Sequence, residues 1–133
     1  MSFESDLDKA FSFAQYSTEE IYKEACIKMC EVIIDSTPVD TGALKGAWVT
    51  EANYPRFVHE PNRLDPDGVE SKAEARDVFK SANVESDIYF TNGLDYADSM
   101  ESGYGSKQAP EGMVSVNIRR WPFIVADFSR RFV

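Results

Sequence analysis

The sequence predicts an α+β domain: a long N-terminal helix packed on a small antiparallel sheet, with a short middle helix and a C-terminal helix. Three observations predict it. Apolar residues recur at helical spacing through the first third of the chain, three short runs farther on read as strands, and Pro122 opens a last segment with one apolar side. The length of 133 residues fits a single domain. Hydrophobic residues make up 43% of the chain and aromatics 13%, enough for a core, which excludes wholesale disorder.

Ser17-Thr18-Glu19-Glu20 has the Ser-x-x-Glu form of a capping box. It opens a run in which Ile21, Ala25, Met29, Val32 and Ile33 share helical spacing, with Lys23, Glu24 and Glu31 on other faces. Pro38 disfavours helical geometry in the residue before it, so this helix ends near Ser36–Thr37. Leu7, Phe11 and Ala14 continue the spacing upstream. The N-terminal third is then one long helix or two short ones joined near Tyr16–Ser17, with two favoured.

Residues 44–53 read as a strand anchored by Trp48 and Val49. A Pro-rich surface excursion follows over about 54–70, expected to be mobile in the isolated protein. Ser71 begins a helix through Ala82 with Ala73, Ala75, Val78 and Phe79 on one face. Asp87–Thr91 has strand composition and stops at the turn signal Asn92-Gly93. Asp95–Glu101 forms a helical turn, broken by Gly103-Tyr104-Gly105. Met113–Arg119 alternates, with Val114, Val116 and Ile118 on one face, and reads as a strand. Pro122 suits the first residue of a closing helix whose apolar side is Phe123, Ala126 and Val125 or Phe128, flanked by Arg119, Arg120, Arg130 and Arg131.

The charge is uneven. Residues 1–40 carry nine acids and three bases, 41–111 thirteen and seven, and 112–133 one and four, which sum to the formal charge of -9. An acidic body with a +3 tail segment excludes an ordinary DNA-gripping module, which needs a basic face for phosphates. It leaves open a protein that sits beside DNA without holding it. The N-terminus lacks the cationic and apolar regions of a signal peptide, and no run approaches the ~18–20 apolar residues of a membrane span. Cys26 and Cys30, four apart on one helix face, are poorly placed for a disulfide and read as reduced core thiols. Synthesis in a cytoplasm is expected.

Enzymatic patterns are thin. His59 is the single histidine, in a Pro-rich loop, and neither cysteine is near it in sequence. Two cysteines and one histidine cannot close a structural zinc site. Asp65-Pro66-Asp67-Gly68 lacks the terminal bidentate Glu of a calcium loop and reads as a turn. Gly103-Tyr104-Gly105-Ser106-Lys107 lacks the residue order of a phosphate loop. No active site, cofactor or metal is expected.

Two segments stand above background. Thr37-Pro38-Val39-Asp40-Thr41-Gly42-Ala43-Leu44 follows the long helix, and Tyr89–Met113 contains Thr91-Asn92, Tyr96-Ala97, Glu101-Ser102-Gly103 and Gln108-Ala109-Pro110-Glu111-Gly112-Met113. In this order and spacing, over roughly residues 20–133, the set resembles the neck or tail-completion family of tailed bacteriophages, of the lambda minor tail protein Z type. Trp121-Pro122 departs from the longer, more uniform final helix frequent in that family.

The resemblance implies a virion structural protein at the head–tail junction, made in the host bacterial cytoplasm. It implies no catalysis and a homo-oligomeric ring, commonly a hexamer. Its partners would be further copies of itself, the head-completion (stopper) protein, and the tail terminator or tail tube. DNA would pass through the channel without specific binding, and no membrane is involved. Acidic side chains toward such a channel would repel phosphate; ordinary solubility is the other reading of the same charge. Candidate subunit or ring contacts are Asp40, Tyr104, Gln108, Met113, Arg119, Arg120, Arg130 and Arg131, with Met113 equally suited to the interior. The Pro-rich excursion and the loop at 103–111 suit such contacts too. The alternatives are a tail terminator ring and, in another class, a monomeric acidic DNA mimic or inhibitor; a hydrolase using His59 is the enzyme reading.

Overall fold

A helix of 34 residues, α1 (Phe3–Ser36), forms the spine against which the rest of the chain is laid. The computed structural model of the chain describes residues 2–59, 63–83, 85–95, 97–101 and 112–131. After α1 come a one-turn helix α2 (Ala43–Gly46), strand β1 (Trp48–Ala52), helix α3 (Val69–Ser81) and strand β2 (Ile88–Asn92). Short helices α4 (Ala97–Glu101) and α5 (Ser115–Ile118) lead to α6 (Trp121–Arg130). The fold is α+β. β1 and β2 pair antiparallel from Trp48 opposite Asn92 to Ala52 opposite Ile88.

α1 is one helix, not two. No glycine or proline interrupts residues 3–36, so nothing breaks it at Tyr16–Ser17. Thr18 Oγ1 donates back to the Ala14 carbonyl at 2.9 Å, as a helix-interior threonine does, and the real N-cap is Ser2, whose Oγ accepts from the Ser5 N–H. The helix stops where expected. Thr37 at its end donates to the Ile33 carbonyl and accepts from Trp48 Nε1, both at 2.8 Å.

Two buried clusters line the C-terminal half of α1. One joins Ile33, Ile34, Ala43, Leu44, Ala47, Trp48, Leu94, Ala97 and Met113; the other joins Ile27, Cys30, Ala75 and Phe79. Phe90 packs against both and stacks on Trp48 with ring centroids 4.4 Å apart. Each large aliphatic side chain buried here contributes about 1.5–3 kcal/mol. Trp48 and Val49 are the anchors expected of the first strand, but that strand starts at Trp48 rather than residue 44. Gly42, at φ +90°, turns the chain into α2 first, and a Cβ there would stand 2.6 Å from the Pro66 nitrogen.

The middle helix begins at Val69, two residues before the expected Ser71, and buries Ala75 and Phe79 while Ala73 faces solvent. Asn92-Gly93 is a turn but not a hairpin: the Asn92 side chain accepts from the Leu94 N–H and donates to the Leu44 carbonyl at 2.8 Å. Met113–Arg119 is not a strand. The Glu101 carboxylate collects the N–H groups of Met113, Val114 and Ser115, which starts α5 instead of a ladder. In α6, Pro122 is the second residue, Phe128 is the side chain turned inward, and Phe123, expected on the apolar side, is 76% exposed.

Candidate functional site

Several of the described residues quoted for the resemblance meet in one place, while Tyr96 and residues 102–111 lie outside the described residues. Thr37 holds Trp48, and Ala43 and Leu44 share a cluster with Leu94, Ala97 and Met113. The Leu44 carbonyl takes the Asn92 amide, and Glu101 takes the Met113 N–H at 2.9 Å. Burial works to raise the Glu101 pKa, but the backbone N–H groups of Ser115, Val114 and Met113 outweigh it and hold the carboxyl below its ordinary range. Glu101 thus clamps the end of α4 to the start of α5. Asp40 lies on the outside of this hub, exposed.

Residues flanking the hub are held by charge. Glu74 accepts from the Thr50 N–H and from Arg56, each at 3.0 Å, and Arg56 also pairs with Glu51. Arg63 donates to the Gly46 and Trp48 carbonyls and to Ser71 Oγ. The Pro-rich excursion is therefore tied at Arg56 and Arg63. Asp65 ends in the turn expected of Asp65–Gly68, accepting from the Ser71 N–H at 2.9 Å.

Along the other side of α3, Lys72, Arg76 and Lys80 pair with Asp35, Glu24, Glu31 and Glu20 of α1. The hydrogen bond to Glu24, with that to Glu20, raises Lys80 above its ordinary range. Part of the acidic balance is spent in this way inside the fold. Asp40, Asp67, Glu70, Asp77 and Asp95 have no ion pair among the described residues and carry the surface charge.

Two surfaces remain. The first is a groove of about 580 Å3 between α1, α3 and α6, with Val32, Ile124 and Phe128 in it and Phe123 at its lip. Arg120 and Arg131 line it, Arg119 is exposed beside it, and Arg130 and Arg131 both pair with Asp127. All four arginines of the last segment are exposed. The second surface is the first half of α1. From Phe3 to Tyr16 every side chain but Ser5 is exposed, including Phe3 at 78% and Phe11 at 65%. The stripe Leu7, Phe11, Ala14 is legible in the sequence; that none of the described residues covers it is a tertiary fact.

Met113 is corrected as a contact candidate: it is 1% exposed and belongs to the core, because the Glu101 clamp turns its segment inward. Tyr104 and Gln108, with the whole loop at 103–111, lie outside the described residues. His59 is exposed, its Nδ1 within 3.2 Å of the Gly93 carbonyl. Cys26 and Cys30 are free thiols, and burial pushes Cys30 up to about 12, where no thiolate exists at neutral pH. Among the described residues no three His, Cys, Asp or Glu side chains are grouped to hold a metal ion, and no helix is long and apolar enough to cross a membrane. No protein-family model, curated protein or solved structure matches the chain significantly.

Proposed function

We propose that this chain is a structural subunit of the neck or tail-completion type in a tailed-phage particle, forming a homo-oligomeric ring around the DNA channel. The observation that carries it is the convergence of the resembling residues: Thr37, Leu44, Asn92, Glu101 and Met113, up to 76 positions apart, bond or pack in one hub. An ordered set that specifies a core rather than a reactive cleft is what a structural family has in common. The exposed apolar half of α1 adds to this, since such a surface marks an interaction site. The unpaired surface acids suit a channel wall that repels phosphate and lets DNA slide.

The ring's neighbours in this account are the stopper protein and the tail terminator or tube. Cryo-EM of the head–tail junction in the phage that encodes the chain tests the position. The expected result is a ring into which this fold builds, beneath the stopper. A ring at the far side, capping the tube, would make it a terminator; a junction filled by other chains would refute the proposal.

A further inference from the structure

We propose that the first half of α1 docks in the α1–α3–α6 groove of a second copy of this chain, head to tail. The arm, residues 3–16, extends about 21 Å at the helical rise. Phe3, Leu7 and Phe11 recur at every fourth residue along it and form one stripe. The arm continues the packed half of α1, and among the described residues none covers its apolar stripe, the kind of surface a partner completes.

The groove fits that stripe in chemistry. Its apolar floor of Val32, Ile124 and Phe128 and its exposed lip Phe123 are ringed by four bases and three acids. Arg76 and Arg131 are neutralised by Glu24, Glu31 and Asp127, but Lys28 and Arg120 have no ion pair among the described residues. The arm is acidic, with Glu4, Asp6 and Asp8 against Lys9. Opposite charges thus surround complementary apolar surfaces. Two arms laid against each other would instead bring like charges together.

The contact has to be between copies. Phe11 and Lys28 sit on one unbroken helix, 17 residues and so about 26 Å apart, and the arm cannot fold back into its own groove. Every added copy then offers one free arm and one free groove, a heterologous contact that closes into a ring or runs on as a filament. Two or three aromatic side chains of ~150–250 Å2 each, with Leu7 and the groove floor, approach the roughly 1,000 Å2 of a specific interface. The contact stands on these two surfaces; only its closure into a ring rests on the proposed function.

The test uses two variants changed only at exposed positions, Phe3→Ser with Phe11→Ser in the arm, and Phe123→Asp with Arg120→Glu in the groove. Circular dichroism and urea midpoints confirm that both fold. In sedimentation velocity at about 200 μM the parent associates, and each variant alone weakens that association at least ~10-fold. A one-to-one mixture restores a species of twice the 15.0 kDa chain mass and nothing larger, because only one arm and one groove remain intact. A photo-crosslinker at position 11 joins peptides of α6 in an isotopically labelled second copy. A parent that stays monomeric overturns the proposal, as does a groove variant that associates like the parent, which would mean arm-to-arm pairing. Neither result bears on whether the chain is in the particle, which is measured separately.

Discussion

Glu101→Gln changes one atom and removes a charge that holds the start of α5 against the end of α4. The Glu101 carboxylate accepts the Met113, Val114 and Ser115 N–H groups at 2.9, 2.7 and 2.9 Å. Hydrogen bonds to a charged acceptor contribute about 1.5–3 kcal/mol each when buried. Glu101 is half-buried, which puts these at the low end, and glutamine keeps one neutral acceptor oxygen. The expected loss is ~1–3 kcal/mol in total, a fall of roughly 1 M in the urea midpoint with the slope unchanged. The pH dependence identifies the charge as the cause. Because the folded-state pKa is depressed, the carboxylate's contribution is present above the unfolded value near ~4.3 and disappears as pH falls through the folded value. Urea unfolding of parent and variant at about pH 7 and about pH 3 should therefore show a gap that closes in acid. A difference below about 0.5 kcal/mol at neutral pH, or one equal at both, would refute the clamp.

Four other perturbations follow, three from the same packing and one from the surface charge. Asn117→Ala removes the Nδ2 donor to the Met113 carbonyl and Ser36 Oγ and should cost about 1–3 kcal/mol in urea unfolding; an unchanged midpoint would show that α5 does not depend on it. Gly42→Ala, at φ +90° and with a Cβ 2.6 Å from the Pro66 nitrogen, should destabilise by more than ~1 kcal/mol, whereas a tolerated alanine would contradict the tight turn. Cys30, buried and raised to about 12, should resist a disulfide reagent at neutral pH and react in urea; fast labelling of the folded protein would put it at the surface. Reversing Asp40, Asp67, Glu70 or Asp77 to lysine should slow DNA ejection if they face the channel, and indifference at all four would make the acidity a matter of solubility.

Local pattern carried the longer helices and both paired strands. Helical spacing located α1 and α3, and β-branched and aromatic composition located β1 and β2, with Trp48 and Val49 buried as expected. The failures are non-local. Val114, Val116 and Ile118 alternate as a strand does, but Glu101, more than ten residues upstream, decides the geometry by taking three backbone N–H groups. Ser17–Glu20 has the form of a helix start, and only the uninterrupted run behind it shows that the real cap is Ser2. The arginines of the tail segment were legible as a surface because charge seldom goes inside, while Met113 was not, since its burial depends on the hub closing around it.

The central claim is that this chain is a built part of a virion. Quantitative mass spectrometry of gradient-purified particles of the encoding phage tests it most directly. The account predicts the chain in every particle at a fixed low copy number, equal to that of one ring and in constant ratio to the stopper protein. Its absence from infectious particles, with the protein found only in the lysate, would contradict the account.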